Sequence, residues 1–269
     1  MKDQPSIDYS PFDKPEILQF LFHPRPESGW GSSSSSFESL DIPTEKSVTI
    51  GGRFYAATPE APVILFFHGN GEIVEDYDDI AEVFLRMGIG FLPVDYRGYG
   101  RSSGTPSVTG MMRDCRYIFE FVKKFLAEKG HSGALVVMGR SLGSASALEL
   151  AANFGDGIGG LVIESGFAYA LPLLRLLGVN TERLGITEEK GFNNIAKIKK
   201  YSGPLLVIHA EKDHIIPFSD GRALFEACPS TRKEFLEIKR ANHNTIFQYG
   251  GDEYFQKIAE LAEKANTRG

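Results

Sequence analysis

One serine stands between two glycines at the point where an apolar segment gives way to small residues. Residues 139–143 read GRSLG, a strand-like run occupies 134–138, and a helix-like run follows. A strained strand-to-helix turn of this kind lifts a serine hydroxyl above the sheet. The glycines indicate that a Cβ at either place would clash in so tight a turn. The pattern predicts Ser141 as a nucleophile, with the Leu142 amide as one donor to an oxyanion.

A serine nucleophile needs a base, and the chain has six histidines. His243 lies between the last predicted strand and the last predicted helix, on the same edge of the predicted sheet as Ser141. It also completes the order serine, acid, histidine known for one class of catalytic triad. The other five are expected to be structural, at the surface or turned away from the site: His23, His68, His131, His209 and His214. The sequence therefore predicts His243 as the base.

The acid that orients the base is predicted to be Asp213, which directly follows an apolar strand and precedes a proline-marked loop. Such an acid would hold His243 in the required tautomer and stabilise the imidazolium. Glu164 is the alternative, because an acid at the end of the preceding strand could also reach the histidine. Asp95 is a third candidate, although a role as a loop anchor suits it better.

Two further groups flank the nucleophile. The second oxyanion donor is expected from the loop after the strand at 63–67, and the Asn70 amide is the choice there. Arg140 could meet a substrate carboxylate. Pairing with Glu164 or another acid beneath the turn is favoured, because neighbours of a nucleophile in such a turn usually point into the fold.

Alternating strands and helices supply the framework for these residues. Near-continuous apolar runs predict strands at 63–67, 90–95, 134–138, 160–164, 204–210 and 233–239. Helices are predicted between and after them at 75–87, 108–129, 143–154, 218–227 and 252–265. This alternation predicts an α/β fold with a doubly wound, mostly parallel sheet. Ligands bind beyond the carboxyl ends of such strands, which is where the serine, acid and histidine all fall.

The front of the chain carries weaker signals. Residues 1–45 are predicted to be irregular, with a Gly/Ser-rich loop at 28–39 and a short helix docked by Ile17, Leu18, Leu21 and Phe22. Two short strands are expected as a hairpin around the glycine pair 51–52. The domain would then span 46–269, with a small lid at about 168–202 between the sixth and seventh strands.

Composition excludes several other classes of protein. The 29 basic and 35 acidic residues give a net charge of −6, which argues against nucleic-acid binding and against a basic membrane-docking face. Two cysteines form no disulfide framework or cysteine-rich metal site. No apolar run has the length of a signal-peptide core or a membrane-spanning helix. These features predict a soluble, cytoplasmic protein without stable membrane insertion.

Five motifs together resemble the α/β-hydrolase superfamily over roughly residues 46 to 265. They are FFHGNGE, DYRGYGRSSG, GRSLGS, HAEKDHIIP and NHNT, in the order typical of that superfamily. The first three are similar to the branch of serine hydrolases that includes protein depalmitoylases and carboxylesterases. The resemblance implies nucleophile Ser141, acid Asp213, base His243 and the oxyanion amides of Leu142 and Asn70. It implies no cofactor and no metal.

The resemblance implies a serine hydrolase acting on a small-molecule acyl ester or thioester through an acyl-enzyme. An amidase or prolyl-type aminopeptidase would use the same machinery with an acidic grip for a free amine, for which the pair Glu188-Glu189 in the lid is a weak candidate. A non-catalytic binding protein on the same fold is a further alternative. In the lid, Leu171, Leu174 and Leu177 would share one helical face, either packing the lid onto the sheet or lining a small apolar pocket.

Overall fold

The computed structural model describes residues 7–29, 36–45 and 47–267. Its centre is an eight-stranded sheet in the order β1-β2-β4-β3-β5-β6-β7-β8. Strands β3 to β8 run parallel, whereas β1 and β2 are antiparallel to their neighbours. The strands are β1 (Glu38–Glu45), β2 (Val48–Phe54), β3 (Val63–Phe67), β4 (Gly90–Val94), β5 (Leu135–Arg140), β6 (Gly160–Glu164), β7 (Leu205–Ala210) and β8 (Lys233–Ile238).

Helices cover both faces of the sheet, so the fold is the predicted doubly wound α/β arrangement. They are α1 (Pro15–Leu21), α2 (Asp78–Arg86), α3 (Val108–Glu128), α4 (Gly143–Phe154), α5 (Ala170–Leu176), α6 (Thr181–Leu184), α7 (Asn194–Ile198), α8 (Phe218–Ala227) and α9 (Ile246–Asn266). Strands β3 to β7 are buried along their whole length, which is why they read as continuous apolar runs. Within the described ranges, no helix is both long and apolar enough to span a membrane.

The predicted hairpin around Gly51 and Gly52 is wrong, because both glycines lie inside strand β2. A Cβ on Gly52 would come within 3.2 Å of the Pro93 carbonyl oxygen, and one on Gly51 within 3.2 Å of Arg101. The glycines therefore allow a close approach of the neighbouring chain and do not form a turn. The chain turns instead between β1 and β2, where Ser47 has a φ of +71°.

The prediction of an irregular segment over 1–45 is also wrong where the structure describes it. Strand β1 occupies 38–45, in the predicted loop 28–39 and beyond it, and its buried residues Leu40, Ile42 and Thr44 alternate with exposed ones. This alternation is the pattern of a half-buried strand, and Pro43 is compatible with it only because β1 lies at an edge. The predicted short helix is present as α1. Residues 1–6 and 30–35 of the predicted segment lie outside the described residues.

The N-terminal segment packs against the rest of the molecule, so residue 46 is no architectural boundary. Phe12, Ile17 and Leu21 are buried in the main core, and the Tyr9 hydroxyl donates to Glu149 of α4 at 2.7 Å. The segment between β6 and β7 contains α5, α6 and α7, where a lid was expected. The last helix starts earlier than predicted but breaks at Gly251, whose φ is +48°.

Candidate active site

The turn that carries Ser141 is as tight as its glycines predict. Ser141 has a φ of +51°, a left-handed conformation rare for a residue with a side chain. A Cβ on Gly139 would lie 2.3 Å from the Gly143 carbonyl oxygen, and one on Gly143 would lie 2.1 Å from that of Phe67. Larger residues at these places would push β5, α4 and β3 apart. The strained turn therefore depends on both glycines.

Three side chains from separate loops meet at this turn. His243 Nε2 lies 3.0 Å from Ser141 Oγ, and His243 Nδ1 lies 2.8 Å from Asp213 Oδ2. His243 follows β8 and Asp213 follows β7, so the shared carboxyl edge of the parallel strands brings them together. All three are largely buried. The arrangement is able to pass a proton from the serine to the imidazole while the carboxylate fixes the ring.

Asp213 is held by backbone groups as well as by the histidine. Its Oδ1 accepts hydrogen bonds from the amides of Ile215 at 3.0 Å and Ile216 at 2.9 Å. Burial raises the pKa of the Asp213 carboxyl, but the hydrogen bond from His243 and these two amides outweigh it and lower the pKa below its ordinary value. Asp213 is thus an ionised carboxylate with a fixed orientation.

The alternative acids lie elsewhere in the structure. Glu164 accepts hydrogen bonds from Arg140 Nη1 at 2.5 Å and from the Tyr254 hydroxyl at 2.6 Å, beneath the turn. Asp95 accepts one from the Val74 amide at 3.0 Å and so anchors a loop. Of the three candidates, Asp213 is the one that contacts His243.

Arg140 points into the fold, which confirms the predicted pairing with Glu164. Its Nε donates to Glu72 Oε1 at 3.0 Å, and its Nη2 donates to the His243 carbonyl oxygen at 3.2 Å. Glu72, which sequence reasoning missed, also accepts a hydrogen bond from the Gly69 amide at 2.6 Å. The only sequence signal for it was an acid in the loop after β3 opposite an arginine at the end of adjacent β5. Arg140 thereby connects the loop that carries Asn70 to the loop that carries His243.

Arg140→Ala should lower the free energy of unfolding by about 3–5 kcal/mol, because it leaves the fully buried Glu164 carboxylate without its cation. Arg222→Ala is a matched control. Arg222 is 47% exposed and pairs with Glu226 along one helix, so its loss should cost less than about 1 kcal/mol. Urea unfolding followed by circular dichroism measures both. Equal effects of the two substitutions would contradict the assigned role of Arg140.

The two predicted oxyanion donors border the same cleft as Ser141. Asn70 lies in the loop after β3, and its side-chain Oδ1 accepts from the His23 amide at 2.9 Å and the Tyr99 hydroxyl at 2.8 Å, which fixes the loop. Between described residues, neither the Asn70 nor the Leu142 amide donates a hydrogen bond. The Gly69 amide is already bonded to Glu72. The geometry therefore leaves the two expected amides available to a substrate oxygen.

A cleft of about 200 Å³ surrounds the serine, and its walls are mainly apolar. The lid contributes Leu173 of α5 and Leu177, which directly follows that helix. Leu174, by contrast, is fully buried in the core. The leucines predicted to share one face therefore divide: Leu174 packs the lid onto the core, whereas Leu177 borders the cleft together with Leu173.

Other expectations about the site need correction. Glu188 is not available to bind the free amine of a substrate. Its carboxylate accepts hydrogen bonds from the amides of Ala170 at 3.0 Å and Leu171 at 2.7 Å, at the start of α5. The N-terminal segment, for which only an irregular stretch with a short docked helix was predicted, supplies Phe20, Leu21 and His23 to the cleft wall. No local pattern in the sequence pointed to this contribution.

The remaining histidines are placed largely as expected. His68 and His209 are fully buried, and His214 is exposed. Burial lowers the pKa of His209, despite the nearby Ile216 carbonyl and Asp213, so its imidazole stays neutral. His131 departs from the expected surface position: it is half-buried, with its ring 5.2 Å from that of Phe54.

Comparison with known proteins gives a consistent result. Residues 58–182 match the family described as "Serine aminopeptidase, S33". The chain is 31% identical over 237 residues to protein bem46 of Schizosaccharomyces pombe, covering 84% of this chain and 77% of that one. It is 27% identical to human alpha/beta hydrolase domain-containing protein 17B, covering 91% and 83%. Among solved structures, esterase Pf2001 of Pyrococcus furiosus superposes with a TM-score of 0.72 at 20% identity, covering 90% and 98%.

Proposed function

Since the chain belongs to the S33 family of α/β-hydrolases, we propose that it is a serine hydrolase that cleaves carboxylic ester or thioester bonds. The observation that carries the proposal is the continuous hydrogen-bonded series Ser141–His243–Asp213 at the floor of a cleft. Such a series is the arrangement that activates a serine hydroxyl for attack on an acyl carbon.

The reaction proceeds through an acyl-enzyme. His243 Nε2 takes the proton of Ser141 as Oγ attacks the acyl carbon, and the amides of Asn70 and Leu142 stabilise the negative oxygen. His243 then gives this proton to the leaving alcohol or thiol, and the acyl group stays on Ser141. A water molecule activated by His243 releases the acid and restores the serine. Asp213 keeps the ring in the productive tautomer throughout.

The cleft favours small apolar acyl groups. Its volume of about 200 Å³ is below the roughly 300–1,000 Å³ of sites for drug-sized ligands. Leu173, Leu177 and Phe167 from the lid region and Ile215 and Ile216 after β7 make its walls apolar. We therefore assign short to medium acyl chains as the substrate class.

The family description favours an aminopeptidase as the second candidate. A free substrate amine would need an unpaired acid in the cleft. Glu72 borders the cleft but is paired with Arg140, and Glu188 is bound to the backbone of α5. The charges near Ser141 thus support an ester or thioester substrate over an amine-bearing peptide.

Two measurements test the proposed function. A fluorophosphonate probe should label Ser141 in the folded protein and not in protein unfolded with urea, since labelling requires the activated hydroxyl. A panel of p-nitrophenyl acyl esters, acyl thioesters and aminoacyl anilides then ranks the three bond types. If the probe does not label the folded protein, the remaining interpretation is a non-catalytic binding protein. Hydrolysis of the anilides alone would favour the aminopeptidase.

Activity should fall as the pH is lowered from about 8 to 5, because histidine is the side chain that ordinarily gains a proton in this interval. A protonated His243 cannot accept the proton of Ser141. The lowered pKa of Asp213 keeps its carboxylate ionised throughout, so it contributes nothing to the loss. Measuring kcat/KM for p-nitrophenyl acetate across this range, with and without EDTA, checks the mechanism. A pH-independent rate, or a loss in EDTA restored by a divalent metal, would contradict it.

A further inference from the structure

A second cavity, of about 270 Å³, lies beside the active-site cleft between α1 and the lid. Its walls include Glu16 and Gln19 from α1, and Val179, Arg183 and Leu184 from the turn after α5 and from α6. Phe20, at the end of α1, borders both this cavity and the cleft around Ser141. This half-buried side chain is the one described residue that lines both spaces.

We propose that Phe20 is the residue that limits acyl-chain length, and that the cavity behind it is a distal acyl subsite closed by this ring. The inference rests on the proposed function, because it assigns the acyl side of the same site. The ligand class for the joined space is an unbranched fatty acyl chain longer than the cleft alone can hold.

The position of His243 in the strand order is the basis for placing the leaving group and the acyl chain around Ser141. The leaving group must sit within reach of His243 Nε2, which protonates it, and His243 follows β8. In the sheet, β6, β7 and β8 lie on one side of β5, whereas β3 and β4 lie on the other. In this proposal the leaving group lies next to His243, and the acyl chain runs away from it, beneath the lid leucines and toward the loop after β3.

Helix α1 is attached on that β3 side. The Asn70 side chain, in the loop after β3, donates from Nδ2 to the Phe20 carbonyl oxygen at 3.5 Å and accepts from the His23 amide at 2.9 Å. Asn70 also provides the proposed oxyanion amide. The end of α1 is thus fixed next to the carbon that Ser141 attacks, and Phe20 lies where an acyl chain would continue.

Apolar side chains from the lid line both the cleft and the second cavity. Leu173 and Leu177 border the cleft on the near side, and Val179 and Leu184 border the second cavity on the far side. Glu16, Gln19 and Arg183 give that cavity a polar outer rim. An alkyl chain that passed the ring would therefore still meet apolar side chains before it reached the polar ones.

The test compares Phe20→Ala with Leu18→Ala, a matched control. Leu18 lies on the same helix, is also half-buried against the core, and is absent from the walls of both cavities as the structure describes them. We measure kcat/KM for p-nitrophenyl esters from acetyl to palmitoyl. For the wild type and for Leu18→Ala, kcat/KM should fall for acyl chains longer than medium length. Phe20→Ala should gain about fourfold in kcat/KM, relative to its own value for acetate, for each further methylene that becomes buried.

The outcomes separate the inference from the proposed function. Unchanged chain-length profiles in Phe20→Ala, with acetate still hydrolysed, overturn the inference and leave the esterase standing. The milder Phe20→Leu serves if the alanine variant does not fold by circular dichroism, and it should lengthen the accepted chain in the same direction. If wild type hydrolyses no ester, titration calorimetry with butyrate and palmitate decides: palmitate binding by the Phe20 variant alone supports the subsite, and equal binding by both proteins overturns it.

Discussion

Ser141→Ala is expected to reduce ester hydrolysis by about 10⁶-fold while the protein remains folded. The proposed mechanism has no other nucleophile, and the hydroxyl lies 3.0 Å from His243 Nε2. The loss of one hydrogen bond should change the free energy of unfolding by only about 1 kcal/mol. Initial rates with p-nitrophenyl acetate and thermal unfolding by circular dichroism measure the two effects.

Ser146→Ala provides the matched control for this substitution. Ser146 lies five residues after Ser141, within α4, is fully buried, and its hydroxyl has no hydrogen-bond partner among the described residues. Its removal should leave both activity and stability close to those of the wild type. If Ser141→Ala retains activity within a few-fold of wild type, the nucleophile must be another residue.

Asp213→Asn should lower kcat by about 10⁴-fold. An amide NH₂ in place of the carboxylate oxygen would donate to His243 Nδ1 and leave the proton on Nε2, the nitrogen that must accept from Ser141. The asparagine oxygen can still accept hydrogen bonds from the amides of Ile215 and Ile216, so the loop should keep its shape. Steady-state kinetics on the folded variant gives the size of the effect.

Glu164→Gln is the comparison that tests the choice of acid. Glu164 contacts Arg140 and Tyr254, so its substitution should lower the unfolding free energy and change kcat far less than Asp213→Asn does. A reversed order of the two kcat losses would transfer the role to Glu164.

The pH dependence of unfolding offers a second test of Asp213. Because the pKa of Asp213 is lowered in the fold, its carboxylate stabilises the wild type above the unfolded-state pKa, and this advantage over Asp213→Asn is lost as the pH falls through the lowered value.

Much of the fold and the central site residues were predictable because their signals are local or follow from topology. Strands buried on both faces must be continuously apolar, and such runs revealed the parallel strands β3 to β7. The turn at Ser141 needs glycine at 139 and 143 because a Cβ at either position would meet backbone of α4 or β3. Once the strands are parallel, residues that directly follow them share one edge, which brings Asp213 and His243 to Ser141.

The tertiary structure alone decided the features that depend on contacts between distant segments. Strand β1 exists because its alternating residues find an edge of the sheet to pair with, despite Pro43. Glu72 joins Arg140 only after β3 and β5 lie side by side, and Glu188 becomes a cap only when the lid folds back on itself. Phe20 borders the cleft because packing carries α1 across the carboxyl edge of the sheet. Apart from the alternation along β1, these pairings leave no periodicity or spacing in the chain, since each depends on which surfaces meet in three dimensions.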